Sequence, residues 1–196
     1  MSSTLTLYNS QRSSNALKVR FLLAELGLDA TLVAVAIGAP TAEYLALHPF
    51  GTVPCLVDGD LVITESNTML RYLAMHEGRT DLYPTDIRLR TRIDQVLDAL
   101  SLQLRPLLWG VEEPLIYGDG VVSESARTAL DLGLAAWERL LDANAEIFKS
   151  FTIADCAIAG RISETRQVLG SLAKWPRTQA ILDRCDARPA FQTARG

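Results

Sequence analysis

The chain has 196 residues, 48% of them hydrophobic and 21% charged, which is enough apolar material for two small domains or one large one. A formal net charge of −4 leaves no basic excess to neutralise phosphates and argues against a nucleic-acid partner. No apolar run reaches the roughly 18 residues that span a bilayer, and Met1-Ser2-Ser3-Thr4 has no charged n-region, so neither a membrane span nor a secretory signal is expected.

In chain order, Leu5-Thr6-Leu7-Tyr8 alternates as a short strand. After a polar stretch at 9–14, Leu17, Phe21, Leu22 and Leu26 recur at helical spacing and Gly27 is a suitable stop. Residues 31–37 are β-rich, and 41–47 read as a short helix. Residues 53–57 and 61–63 are two strands around the turn signal Asp58-Gly59. Ser66 is placed to cap a helix carrying Met69, Leu70, Leu73 and Ala74, which Gly78 ends. This β-α-β-α-β-β-α order is the layout of an α/β thioredoxin-like domain, expected over residues 1–78.

Residues 79–86 are polar, contain Pro84 and read as a linker. Beyond it only helical periodicity appears. Ile93, Val96, Leu97, Leu100 and Leu104 make one apolar stripe, and Ala126, Ala129, Leu130, Leu134, Trp137 and Leu141 a second. Between them 110–120 is rich in Gly and Pro and is expected to be a loop. A third helix starts near Thr152, where Thr152 and Asp155 form a capping box, and a fourth covers about 177–186. Residues 87–196 are therefore expected to form an all-α helical bundle domain. Cys55, Cys156 and Cys185 are odd in number and lack metal-like spacing, which fits a reducing cytoplasm and predicts no metal site.

Four local motifs sharpen this picture. They are the 7–20 segment Leu7-Tyr8-Asn9-Ser10-Gln11-Arg12-Ser13-Ser14-Asn15-Ala16-Leu17-Lys18-Val19-Arg20; His48-Pro49-Phe50-Gly51-Thr52-Val53-Pro54; Glu65-Ser66-Asn67; and Phe151-Thr152-Ile153-Ala154-Asp155. In this order they resemble the cytosolic glutathione S-transferase superfamily over essentially the whole chain, and most closely its serine-type, theta-, phi- and zeta-like bacterial members. The set is specific for the superfamily and much less so for a class. The resemblance implies a glutathione transferase that uses glutathione as co-substrate. It also implies a small hydrophobic electrophile as second substrate, a cytoplasmic location and a homodimer. The chemistry would be conjugation, dehalogenation or isomerisation, of the detoxification type.

Each motif has a physical task. X-Pro bonds reach the cis form at modest cost; a cis Val53-Pro54 bond would turn the Val53 backbone outward to pair with the cysteinyl part of glutathione, the alternative being a strand-edge proline. Ser66 at a helix start suits the γ-glutamyl carboxylate, and Glu65 the ammonium beside it; a plain cap preceded by a surface acid is the other reading. Counting six residues back from Val19 in the family's Ser-x-x-x-x-Lys/Arg-Val pattern selects Ser13 to activate the thiol, with Ser14 and then Tyr8 next. Arg12-Ser13-Ser14-Asn15 partly matches the zeta-class Arg-Ser-Ser-Cys, with Asn15 in place of its Cys. No Cys-x-x-Cys occurs, which argues against a thioredoxin-type redox site.

Thr52 stands where many relatives carry Lys or Gln. His48 replaces the usual Asn and reads as a solvent-facing loop residue, or else compensates for Thr52. A weaker hold on the glycyl carboxylate follows. Arg105, Trp109 and Tyr117 are candidate walls of the second-substrate pocket, packing residues being the alternative. Phe50 either anchors a partner subunit or packs in its own. A non-enzymatic interaction module on the same fold remains the alternative function.

Overall fold

The protein is described by a computed structural model covering residues 5–116, 118–169 and 172–196, with backbone alone at 167–169. Its first half runs β1 (Leu5–Asn9), α1 (Ser14–Leu26), β2 (Ala30–Ala34), α2 (Ala42–Leu47), β3 (Cys55–Asp58), β4 (Leu61–Ile63) and α3 (Ser66–His76). The sheet order is β2-β1-β3-β4, with β1 parallel to β2 and antiparallel to β3, and β3 antiparallel to β4. This is the thioredoxin-like α/β arrangement. Leu7 pairs with Leu32 on one side and Leu56 on the other, and the alternation of β1 sends Leu5, Leu7 and Asn9 inward.

Two strand ends differ from the sequence reading by more than one residue. The strand expected over 31–37 stops at Ala34, where β1, its one neighbour, also stops. The strand expected from Val53 begins at Cys55, because Pro54 has no N–H for the ladder.

The helical half contains α4 (Ile87–Ala99), a π-helical turn (Leu100–Leu104), α5 (Arg105–Ile116), α6 (Glu124–Ala143), a 3-10 turn (Ala145–Phe148), α7 (Ile153–Leu169), α8 (Pro176–Asp186) and α9 (Pro189–Arg195). Helix, not loop, occupies 110–116. Gly and Pro cost a helix interior about 1 and 3 kcal/mol, yet Leu108, Val111 and Glu112 are buried in the bundle, and that packing outweighs the local preference. The last helix, α9, is also absent from the sequence reading, which ended the regular structure at α8.

Two helices form the centre. α1 is buried without a break over 16–23, so its charged Lys18 and Arg20 lie inside the protein. Gly27, at φ 66°, ends it in the left-handed region that glycine adopts without penalty. α7 is buried over 153–163 and packs directly against α1. The Thr152 N–H donates to Asp155 Oδ2 at 2.9 Å and Thr152 Oγ1 accepts from the Ala154 N–H at 3.2 Å, so α7 starts on the expected capping box. One hydrophobic core runs from Leu5 in β1 through Ile162 in α7 to Ala194 in α9.

Candidate functional site

Strand directions bring three chain segments to one edge of the sheet. β1 ends there and leads into the loop before α1. β3, antiparallel to β1, begins there, just after Val53-Pro54. β4, antiparallel to β3, finishes beside the start of β3, with Ile63 opposite Leu56, and leads into α3. Ser13, Val53 and Glu65-Ser66 therefore share an edge although they are far apart in sequence.

Ser13 is the N-cap of α1, with extended backbone at φ −90° and ψ 115°. Its Oγ accepts the Ala16 N–H at 3.2 Å. A hydroxyl has one proton to give and two lone pairs, so capping leaves the proton for another acceptor. Ser14 and Asn15 follow at the first two helical positions, where N–H groups lack intrahelical partners and the dipole favours negative charge. Tyr8 lies in β1 with its ring 5.4 Å from that of Tyr44. Of the three hydroxyls proposed from sequence, Ser13 alone sits at the capping position.

The Val53-Pro54 peptide bond is cis. No hydrogen bond engages the Val53 backbone among the described residues. The preceding residue is held twice: the Tyr44 hydroxyl donates to the Thr52 carbonyl at 2.5 Å, and Thr52 Oγ1 lies 3.1 Å from His48 Nε2. His48 is only 1% exposed, which corrects the solvent-facing reading. It closes α2, its N–H bonded to the Tyr44 carbonyl at 2.8 Å, and that turn folds the ring under Thr52. His48 thus supports Thr52 from behind.

At α3 the N-cap is Glu65, not Ser66 as the sequence suggested, and its side chain makes no capping bond. The physical reason is one of register: Ser66 already has helical backbone and is buried at the first helical position, while the Glu65 side chain is exposed. Asn67 crosses to the helical half, its Nδ2 donating to the Leu97 carbonyl at 2.9 Å and to Ser101 Oγ at 3.1 Å. Ser101 belongs to the π-helical turn, a distortion that recurs at functional sites.

Lys18 lies one helical turn below Ser14 and is 1% exposed. Burial lowers its ammonium to about 7; the Arg161 and Arg105 charges act in the same direction and Glu65 acts against them. Arg161 is itself neutralised by Glu112, Nη1 to Oε1 at 2.9 Å and Nη2 to Oε2 at 2.7 Å, with Thr165 donating to the same carboxylate. Arg105 and Trp109 project from the exposed side of α5. Tyr117, the third proposed pocket wall, lies outside the described residues. The sequence reading singles out neither the buried cations Lys18 and Arg20 nor the contact of Asn67 with Ser101. The available signal for two of them was a pair of cations inside the apolar run 16–23.

Comparison with known proteins points to one family. The family model described as glutathione S-transferase, N-terminal domain, matches residues 3–75. Glutathione S-transferase 3 of Zea mays is 34% identical, over 96% of this chain and 91% of that protein. Maleylacetoacetate isomerase of Rhizobium meliloti (strain 1021) is 32% identical, over 99% of this chain and 97% of that one. Among solved structures, the theta-class glutathione S-transferase of Xanthomonas axonopodis pv. citri with glutathione bound is 28% identical, covers 98% of this chain and 97% of its own, and superposes with a TM-score of 0.77.

Proposed function

The chain belongs to the cytosolic glutathione S-transferase superfamily and is a glutathione transferase, and from that premise we propose how it holds and activates the tripeptide. The γ-glutamyl carboxylate meets the Ser66 hydroxyl and N–H at the start of α3, and Glu65 takes the ammonium. The Val53 backbone pairs with the cysteinyl unit beside Pro54. Thr52, braced by His48, meets the glycyl end. These contacts leave the sulfur over the N-terminus of α1.

The Ser13 hydroxyl donates to that sulfur, and the unpaired N–H groups of the first turn add partial positive charge. Both favour the thiolate over the thiol, whose free pKa is about 8.5. The proton leaves to solvent, and a sulfur lone pair forms the C–S bond to the electrophile. In substitution or dehalogenation a leaving group departs with the bonding pair. In isomerisation glutathione adds and is then eliminated. The second substrate, a small hydrophobic electrophile, lies between the active-site loop and α4–α5, with Arg105 and Trp109 on the far wall. Among the described residues no helix is long and apolar enough to cross a membrane.

The observation that carries this reading is the state of Ser13: its oxygen is fixed by the Ala16 N–H while its proton remains available at a helix N-terminus. The test is the pH dependence of bound-thiolate absorbance. Ser13→Ala removes one charge-assisted hydrogen bond, about 1.5–3 kcal/mol, and should raise the bound thiol's pKa by roughly one to two units. Ser14→Ala should do much less. A curve that moves with Ser14→Ala or Tyr8→Phe but not with Ser13→Ala would transfer the role to that residue.

A further inference from the structure

Arg20 is buried, yet no carboxylate is bonded to it among the described residues. Burial lowers its pKa, and Glu164 offsets part of that from a distance. Its hydrogen bonds all go to neutral acceptors. Nε donates to the Ala194 carbonyl at 3.0 Å. Nη1 donates to Asn9 Oδ1 at 2.6 Å and to the Ser10 carbonyl at 3.2 Å, and Nη2 to the Gln11 carbonyl at 3.4 Å. Gln11 Nε2 in turn donates to the Arg195 carbonyl at 2.7 Å.

These bonds join two things. Ala194 and Arg195 are in the last turn of α9, where carbonyls lack intrahelical donors and a cation is favoured. Asn9 ends β1, and Ser10 and Gln11 begin the loop that leads to Ser13. The Ser10 carbonyl is shared, for it also accepts the Ser13 N–H at 3.0 Å. Next along α1, Phe21 packs at a tilt against Phe191 of α9 with ring centroids 4.7 Å apart, which keeps the helix end in place. An irregular loop must find partners for its backbone carbonyls. Here a single planar guanidinium supplies two of them, in a geometry that lysine does not reproduce.

We propose that Arg20 is a positioning residue for the thiol-activating hydroxyl: with Gln11 it ties the loop before α1 to the C-terminal turn of α9 and so fixes where Ser13 points. The inference rests on the reading of Ser13 given above. It makes α9 part of the apparatus that ionises glutathione. Displacing a reacting group by an ångström costs up to about a hundredfold in rate, so loss of the tie should appear in chemistry before it appears in affinity.

The test titrates bound-thiolate absorbance and measures kcat and glutathione affinity in wild type, Arg20→Lys, Gln11→Ala, Ser13→Ala and the Ser13→Ala/Arg20→Lys double variant. Arg20→Lys should move the titration to higher pH and lower kcat at neutral pH by about tenfold. Its glutathione dissociation constant should change by less than about threefold, since the γ-glutamyl contacts are untouched. Gln11→Ala, at an exposed residue, should act in the same direction to a smaller extent and serves if Arg20→Lys fails to fold. In the Ser13→Ala background Arg20→Lys should add no further shift. If the variants lower the melting temperature but leave the titration in place, the brace is structural alone and the proposal fails, with Ser13 unaffected. An equal shift with and without Ser13 also overturns it. If Ser13→Ala itself moves nothing, the Ser13 reading fails, and this proposal with it.

Discussion

Lys18 carries a primary amine into a helix that is buried on every side. Its unfolded pKa is near 10.5 and its folded value is about 7. Between those limits the unfolded chain holds more protons than the folded one, so stability rises with pH across that window, by up to about 1.36 kcal/mol per unit. Below about 7 the whole cost of burying the charge is present. Lys18→Met keeps most of the side-chain volume and removes the charge. It should raise stability at pH 7 and flatten the slope between pH 7 and 10, read by denaturant unfolding at several pH values. A variant less stable than wild type at pH 6.5 would show that the ammonium is paired and the argument wrong. Ser66→Ala acts on another quantity. It should weaken glutathione binding by about 1.5–3 kcal/mol and leave kcat at saturation almost unchanged, since that contact is the same in ground and transition states. Calorimetry alongside turnover separates the two; a lower kcat with unaltered affinity would reassign the residue. The residue types in both arguments were visible in the sequence. The surroundings of Lys18 were not, because they come from α5 and α7, which lie far along the chain.

α1 and α7 meet across a glycine. A Cβ built on Gly160 would lie 2.7 Å from the Lys18 backbone nitrogen and 2.8 Å from its Cα. Backbone atoms cannot swing aside, so α1 would have to move. In an exposed helix Gly→Ala stabilises by about 1 kcal/mol; Gly160→Ala should instead destabilise by about 1–3 kcal/mol, the usual cost of overpacking. Because α1 also carries Ser13, the variant should raise the pKa of bound glutathione along with lowering the melting temperature. A neutral or stabilised variant would mean that the two helices have slack at their crossing. The same packing explains where local reading went astray. The 110–116 segment has Gly110 and Pro114 in it and still forms helix, because Leu108, Val111 and Glu112 have partners in the bundle. β1, α1, α3, α6 and α7 were legible because their stripes and caps repeat within one element.

At the scale of the whole molecule, a ligand that binds the native state alone raises stability by mass action. Glutathione at a hundredfold excess over its dissociation constant should add about 2.7 kcal/mol, measurable as a shift in melting temperature. No shift at millimolar glutathione would remove the site described above. Phe50 is 84% exposed, so it is not buried in its own chain. We propose that it anchors a second copy in a homodimer, as large aromatic side chains do at interface centres. Phe50→Asp should then shift sedimentation from dimer to monomer with the fold retained; an unchanged sedimentation profile would place the interface elsewhere.

The sequence by itself determined the order of elements in the thioredoxin-like half, the helical character of the rest, the superfamily and the candidate ligand-binding residues. These depend on short-range patterns: alternation, helical period, capping spacing and the local chemistry of Val53-Pro54 and Glu65-Ser66. Only the tertiary structure decided that His48 lies under Thr52, that Glu65 rather than Ser66 takes the N-cap position of α3, and that Lys18 is buried within reach of the Arg161 and Arg105 charges. It also decided that the C-terminal helix reaches back to the loop before α1 through Arg20. The reason is physical. A side chain's exposure, charge state and partners are set by what packs against it. For Arg20 that neighbour is Ala194, 174 residues further along the chain.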